Sequence, residues 1–180
     1  MAKLLAMLLL CVSTTHLSWA SSKEAMAPML SKEEEGNPQA VADWLRTNGS
    51  KADQVTARKS FEEGLKRKQR KDWGAAIKAF GDSVGFYPTP RAFNELAEAR
   101  LQLLREIRQR KPAQNSDWRR HIQEAEISYR NSLAADAVIK QLTKEERHQT
   151  ELNVECLNRY VESEAKPHNC PPLTLYGLGP

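Results

Sequence analysis

The sequence predicts an all-α protein, and three observations support that prediction. Ala, Leu, Glu, Gln, Lys and Arg dominate the composition, and all six favour helices. Beyond residue 50, apolar residues recur at spacings of three and four, the period of a helix that buries one face. No segment alternates apolar and polar residues as a half-buried strand does. Because helices joined by short loops pack antiparallel, we expect helical hairpins.

Residues 1–20 have the pattern of a cleaved secretory signal peptide. Lys3 supplies a positive start, residues 4–12 form a short apolar run, and residues 18–20 match the small-x-small cleavage pattern. The run is about half of the ~20 residues that a membrane-spanning helix needs. We therefore expect cleavage after Ala20, a mature chain without a transmembrane segment, and a periplasmic or secreted location.

Residues 21–50 are expected to form a flexible leader that contains one short helix. The first part is polar, carries an acidic run at 33–35 and has no sustained period. Asn37 followed by Pro38 is typical of a helix cap and a first-turn proline.

Residues 51–165 are expected to form the helical domain, and local signals mark the ends of its helices. Asp72 is a candidate N-cap, and the helix that it starts should stop before Pro88. Pro90 should open the next helix, and Thr143 begins a capping box for the last one.

Small and aromatic residues follow one another in an order that suits two helices in close contact. The pattern comprises Ala57, Phe61, Gly64, Leu65, Asp72, Trp73, Ala76, Ile77, Phe80 and Pro88. It resembles one tetratricopeptide repeat, in which Gly64 and Ala76 would lie where the helices touch and Phe80 would fill the hairpin. Glu63 departs from that family, which usually has a large apolar residue at this position. An ordinary helical bundle is the alternative interpretation.

A second, longer copy of the pattern follows. It comprises Phe93, Leu96, Ala97, Ala125, Tyr129 and Ser132. Gly64 and Ala76 are 12 residues apart, whereas Ala97 and Ala125 are 28 apart, so the second hairpin gains about two turns per helix. The resemblance therefore implies a short solenoid of about two repeats, the second one elongated, with a covering C-terminal helix.

The resemblance also implies a binding groove, because tetratricopeptide-repeat proteins usually hold a ligand peptide against the first helices of successive hairpins. The residues that would face it are Arg58, Phe61, Leu65, Lys68, Gln69, Arg91, Asn94, Glu98, Leu101 and Gln102. Apolar groups surrounded by cations suit an extended protein segment with apolar and acidic side chains. A shift of one residue in register would instead place Phe61 and Leu65 in the core, and the sequence leaves both arrangements open.

The densest basic run lies at the end of the first repeat helix. It comprises Lys66, Arg67, Lys68, Arg70 and Lys71. One interpretation is a contact with an anionic partner or lipid head group; the other is a solvated helix end whose cations complement the helix dipole. The formal charge is only +4 and no aromatic residues interleave the run, so we expect no nucleic-acid partner.

Two cysteines, Cys156 and Cys170, remain after the expected cleavage, and such a pair predicts one disulfide in an oxidising compartment. The bond would tie an extended Pro-rich tail, residues 166–180, to the last helix; free thiols are the alternative. A zinc set with His148 and His168 is disfavoured, because His148 and Cys156 would lie about 12 Å apart along one helix. We expect no metal and no cofactor.

The sequence offers no pattern typical of catalysis. It lacks a Gly-rich phosphate loop, a metal-ligand repeat and a serine in a nucleophile turn. We therefore expect a non-catalytic scaffold or adaptor that binds a protein partner. The alternatives are an accessory subunit of an envelope enzyme or secretion complex, and a protein that binds anionic membrane surfaces through the basic run.

Overall fold

The computed structural model describes residues 26–110, 118–163 and 170–175, and within these ranges it contains eight α-helices and no strand. The helices are α1 (Lys32–Glu35), α2 (Pro38–Asn48), α3 (Gln54–Gln69), α4 (Trp73–Phe86), α5 (Pro90–Arg110), α6 (Trp118–Ile139), α7 (Lys144–Ser163) and α8 (Pro171–Leu175). The all-α prediction is confirmed. The predicted signal peptide, residues 1–20, lies outside the described ranges. None of the described helices is both long and apolar enough to cross a bilayer.

Side-chain caps set the beginnings of several helices. Asn37 Oδ1 accepts from the backbone N–H of Gln39 at 3.0 Å, and Asp72 Oδ1 accepts from that of Ala75 at 3.3 Å. Thr143 forms the expected capping box, in which its hydroxyl accepts from the Glu146 N–H at 3.1 Å. The local sequence therefore determines where these helices start.

Successive helices pack against one another. α3 packs on α4, α4 on α5, α5 on α6, and α6 on α7. α5 and α6 have 21 and 22 residues, against 16 and 14 in α3 and α4, so the second hairpin is the longer one, as expected. In the first hairpin, a Cβ atom at Gly64 would lie 2.5 Å from Phe80 Cδ1, so only glycine allows this approach.

The core consists of two clusters that meet along α5. The first joins α2, α4 and the first half of α5 through Trp44, Phe80 and Phe93, among others. The second joins the rest of α5 to α6, α7 and α8, with Ile122 and Leu157 fully buried in it. Because α5 contributes to both clusters, it is the central helix of the fold.

Residues 26–50, the described part of the expected flexible leader, are packed on the domain. Leu30 is buried, and its backbone N–H donates to the Gly85 carbonyl at 2.8 Å. Trp44 on α2 is also buried, and α2 packs against α6. Burial of such large side chains contributes about 1.5–3 kcal/mol each, which favours packing of the segment on the domain.

The expected extended tail also differs where it is described. Residues 170–175 contain α8, and Leu173 at its centre is buried in the second cluster. The remaining parts of the predicted tail, residues 166–169 and 176–180, lie outside the described ranges.

Candidate functional site

α3 and α5 lie side by side and leave a furrow between them, called the groove below. It is lined mainly by Arg58, Phe61, Leu65, Lys68 and Gln69 on α3 and by Arg91, Gln102 and Arg105 on α5. Lys68 crosses it, with Nζ 2.5 Å from Glu95 Oε2 and 2.8 Å from Glu98 Oε2. This ion pair, called the bridge, separates two compartments.

Burial and charge act against each other in the bridge. Burial alone would lower the pKa of Lys68, but the hydrogen bonds to Glu95 and Glu98 outweigh it and the pKa is raised. Burial raises the pKa of Glu95, and Lys68 offsets this only in part. With both carboxyl groups ionised, the bridge carries one net negative charge in the middle of the groove.

The compartment at the N-terminal ends of α3 and α5, called the apolar compartment, is a cavity of about 450 Å³. Val55 is 55% exposed at its edge, and Phe61 and Tyr87 line it as half-buried side chains. The Phe61 ring also packs on the buried Phe80 ring, with centroids 5.6 Å apart. Phe61 therefore belongs to the core edge and to the cavity wall at once, and the compartment can take an apolar side chain.

The compartment at the C-terminal end of α3, called the basic compartment, is a cavity of about 660 Å³. Lys71 and Arg105 stand exposed on its wall, and within the described ranges neither side chain forms an ion pair or hydrogen bond. Trp73 Nε1 donates to Glu106 Oε1 at 2.8 Å, and Arg110 Nη2 lies 3.2 Å from Glu106 Oε2. Glu106, the acid on this wall, is therefore already paired, whereas Lys71 and Arg105 have no partner among the described residues.

Seven of the ten residues expected to face the groove line its compartments, and Glu98 joins the bridge. Leu101 does not face the groove. Its side chain is fully buried in the second core cluster, because this side of α5 faces α6 and α7. Asn94 also turns away, and its Nδ2 donates to Thr150 Oγ1 on α7 at 3.0 Å. These two positions correct the sequence-based groove.

The structure adds groove residues that the sequence alone did not reveal. On α5, Arg105 and Gln109 continue the line of Gln102 along the basic compartment, at spacings of three and four. That helical stripe is present in the sequence and becomes recognisable once Leu101 is assigned to the core. Val55 and Tyr87 carry no comparable signal, because their position depends on how α3 and α5 meet.

The basic run divides into engaged and unengaged cations. Arg67 Nε lies 2.6 Å from Glu63 Oε1, and Lys68 belongs to the bridge. Lys66, Arg70 and Lys71 are exposed, and their side chains make no ion pair with any residue that the structure describes. Only part of the run is therefore free to meet an anionic group.

The predicted cysteine pair is brought together. The sulfurs of Cys156 and Cys170 lie at bonding distance, with Cα atoms 5.3 Å apart, which is the normal separation for a disulfide. His148 lies beside Glu151 rather than near these sulfurs, with Nδ1 3.9 Å from Glu151 Oε2; His168 falls outside the described ranges. Among the described residues, no three His, Cys, Asp or Glu side chains are grouped so as to hold a metal ion.

Comparison of the chain with protein-family models, with curated proteins and with solved structures finds no match.

Proposed function

We propose that this chain is an exported, non-catalytic scaffold that binds an extended segment of a partner protein in the groove between α3 and α5. The observation that carries the proposal is the coexistence in one furrow of accessible apolar side chains, Val55 and Phe61, with two cations, Lys71 and Arg105, that pair with no described residue. Protein-binding surfaces combine apolar anchors with polar and charged rims in this way.

A tetratricopeptide-like architecture is part of the proposal, and three contacts support it. Gly64 meets Phe80 where the helices of the first hairpin touch. Ala76 is fully buried on the same helix as Phe80, at a position where the repeat has a small residue. α7 packs on α6, as a covering helix would. In tetratricopeptide-repeat proteins the first helices of successive hairpins usually hold the ligand, and we propose that role for α3 and α5.

Export is the second part of the proposal. It is motivated by the signal-peptide pattern of residues 1–20. The paired Cys156 and Cys170 are compatible with it, because structural disulfides persist mainly in oxidising compartments.

Affinity capture with the full chain tests the binding proposal. The groove variant Arg58→Glu/Gln102→Glu changes charge inside the furrow, and Lys78→Glu/Gln39→Glu makes an equal change at exposed positions outside it. Circular dichroism should show all three proteins folded. We expect wild type and the outside variant to retain the same partner from extracts of the producing cells, and the groove variant to lose it. Capture that is equal for both variants would refute a groove-based partner.

A further inference from the structure

Resting on the proposed function, we infer that the groove selects one pattern of partner segment: an apolar residue, then a neutral stretch, then carboxylate side chains about six residues away. The apolar residue occupies the apolar compartment and the carboxylates occupy the basic compartment. Charge is distributed unevenly along the groove, and its three parts favour different side chains of a partner segment.

The apolar compartment is balanced in charge. Arg91 Nη2 lies 3.4 Å from Glu146 Oε1, and Arg58 Nε lies 4.0 Å from Glu62 Oε1. Each of these two cations therefore has an acid of the chain beside it. A ligand carboxylate would have to compete with those acids, whereas an apolar side chain gains contact with Val55 and Phe61.

The bridge, in the middle of the groove, is unfavourable to acidic side chains of a partner segment. Glu95 and Glu98 share the single ammonium of Lys68, at 2.5 and 2.8 Å. The bridge therefore offers no free cation to a ligand carboxylate placed over the middle of the groove, and it repels that carboxylate when both of its own carboxyl groups are ionised. The part of the segment that crosses the bridge should therefore carry neutral residues.

The basic compartment, at the C-terminal end of α3, has surplus positive charge. Lys71 and Arg105 lack acidic partners within the described ranges, and Glu106 is engaged by Trp73 and Arg110. The helix dipole does not account for Arg105, which lies more than a turn before the end of α5 at Arg110. Lys71 has φ 57°, which turns the chain sharply between α3 and α4 at the mouth of this cavity.

The separation of the compartments sets the spacing of the pattern. Arg91 and Arg105 mark the two compartments on α5 and lie almost four turns apart, about 21 Å at 1.5 Å per residue. An extended segment advances about 3.3 Å per residue, so about six residues cover that distance.

Fluorescence anisotropy with synthetic peptides tests the inference. The probes share a Ser/Asn/Gln background, one Leu and two Asp, with the Leu and the first Asp either six or two residues apart. A third peptide has Asn in place of both Asp. We expect the six-residue spacing to bind about tenfold more tightly than the two-residue spacing, and its affinity to fall with added salt.

Protein variants assign the effect to the basic compartment. Lys71→Glu/Arg105→Glu should lower the affinity for the peptide with six-residue spacing about tenfold and leave the affinity for the neutral Asn peptide unchanged. The matched control is Lys140→Glu/Lys78→Glu, because Lys140 shares the positive φ of Lys71 (53°) and lies outside the groove. It should bind all three peptides like wild type.

Three results would overturn the inference. The first is equal affinity for the peptides with six-residue and two-residue spacing, and the second is an equal loss of affinity in the two protein variants. The third is an absence of peptide binding together with binding to phosphatidylglycerol vesicles that requires Lys71 and Arg105. In each case, partner capture that still depends on Arg58 and Gln102 would leave the proposed function standing. Loss of that dependence would refute both together.

Discussion

Lys68 combines a structural and an electrostatic role, since its ammonium pairs with both carboxylates of the bridge. Its side chain is 30% exposed and that of Glu95 is 24% exposed, so solvent screens the interaction in part. Removing the ammonium would leave Glu95 and Glu98 facing each other without compensation. The residue therefore stabilises the contact of α3 with α5 as well as dividing the groove.

We expect Lys68→Met to lower the free energy of unfolding by about 1–2 kcal/mol at pH 7. Lys59→Met is the matched control on the same helix, because Lys59 is exposed, and its effect should stay within about 0.5 kcal/mol. Urea denaturation of the two variants measures the difference. Equal effects would show that the bridge contributes nothing to stability.

The loss caused by Lys68→Met should depend on pH. Burial already raises the pKa of Glu95 in the folded state, and without Lys68 the pKa should rise further. A carboxyl group whose pKa is raised by folding binds its proton more tightly in the folded state, so stability falls as the pH rises through that range. The penalty should therefore shrink as the pH is lowered from 7 towards 4. A penalty that is constant over this range would contradict the assigned cause.

Lys71 and Lys140 adopt left-handed backbone conformations, with φ of 57° and 53°. Glycine adopts this conformation without steric cost, so Lys71→Gly and Lys140→Gly should each stabilise the fold by up to about 1 kcal/mol. Thermal unfolding at neutral pH measures both. Only Lys71→Gly should also lower the affinity for the acidic peptide with six-residue spacing. A loss of stability in either variant would show that the lysine side chain contributes more to stability than relief of the backbone conformation does.

At the scale of the helices, the α3–α4 hairpin depends on a close approach at Gly64. A methyl group there would overlap the Phe80 ring, which is buried and cannot withdraw freely. We expect Gly64→Ala to cost about 1–3 kcal/mol, as overpacked cores do. Gly74→Ala on α4 is the control: a Cβ atom there would have no neighbour within 4 Å, and the variant should gain up to about 1 kcal/mol of stability. The same sign for both variants in urea denaturation would contradict the assigned packing.

α8 depends on the link between Cys156 and Cys170. Ordering a residue costs roughly 1–2 kcal/mol, and of the five residues of α8 only Pro172 and Leu173 are buried, with Leu173 contributing about 1.5–3 kcal/mol. We therefore expect a disulfide between Cys156 and Cys170 to help hold α8 in place. Reduction should lower the unfolding free energy by about 3 kcal/mol and increase amide exchange in residues 170–175. The double variant Cys156→Ser/Cys170→Ser should show both changes without reductant, and identical exchange in oxidised and reduced wild type would contradict this account.

Helix starts are predictable from the sequence wherever a local signal suffices. Asn37, Asp72 and Thr143 cap the helices that follow them, because capping involves residues only two or three positions apart. The packing of Leu30 against Gly85 could not be foreseen, since nothing near Leu30 encodes a contact with α4. The packing of Leu30 and Trp44 in the core therefore could be recognised only from the tertiary structure.

For the whole molecule, rotational register limits what the sequence predicts. The period of three and four identifies α5 as a helix, but α5 is apolar on more than one side because it packs in both core clusters. The repeat resemblance therefore places Leu101 in the groove and omits Arg105, because the period of α5 does not fix which of its sides faces the core. The bridge lies beyond prediction for another reason: Lys68 and Glu95 are 27 residues apart, and only the stacking of α3 beside α5 brings them together.

Site-specific photocrosslinking tests the central claim, that the groove holds a segment of another protein, most directly. A photoreactive phenylalanine analogue would replace Gln102 inside the groove or Lys78 outside it, in the full chain within the producing cells. We expect a crosslinked protein adduct from position 102 and none from position 78, and mass spectrometry should map the adduct to a segment with an apolar residue followed by acidic ones. Adducts of the same partner from position 78 alone, or none from position 102, would contradict it.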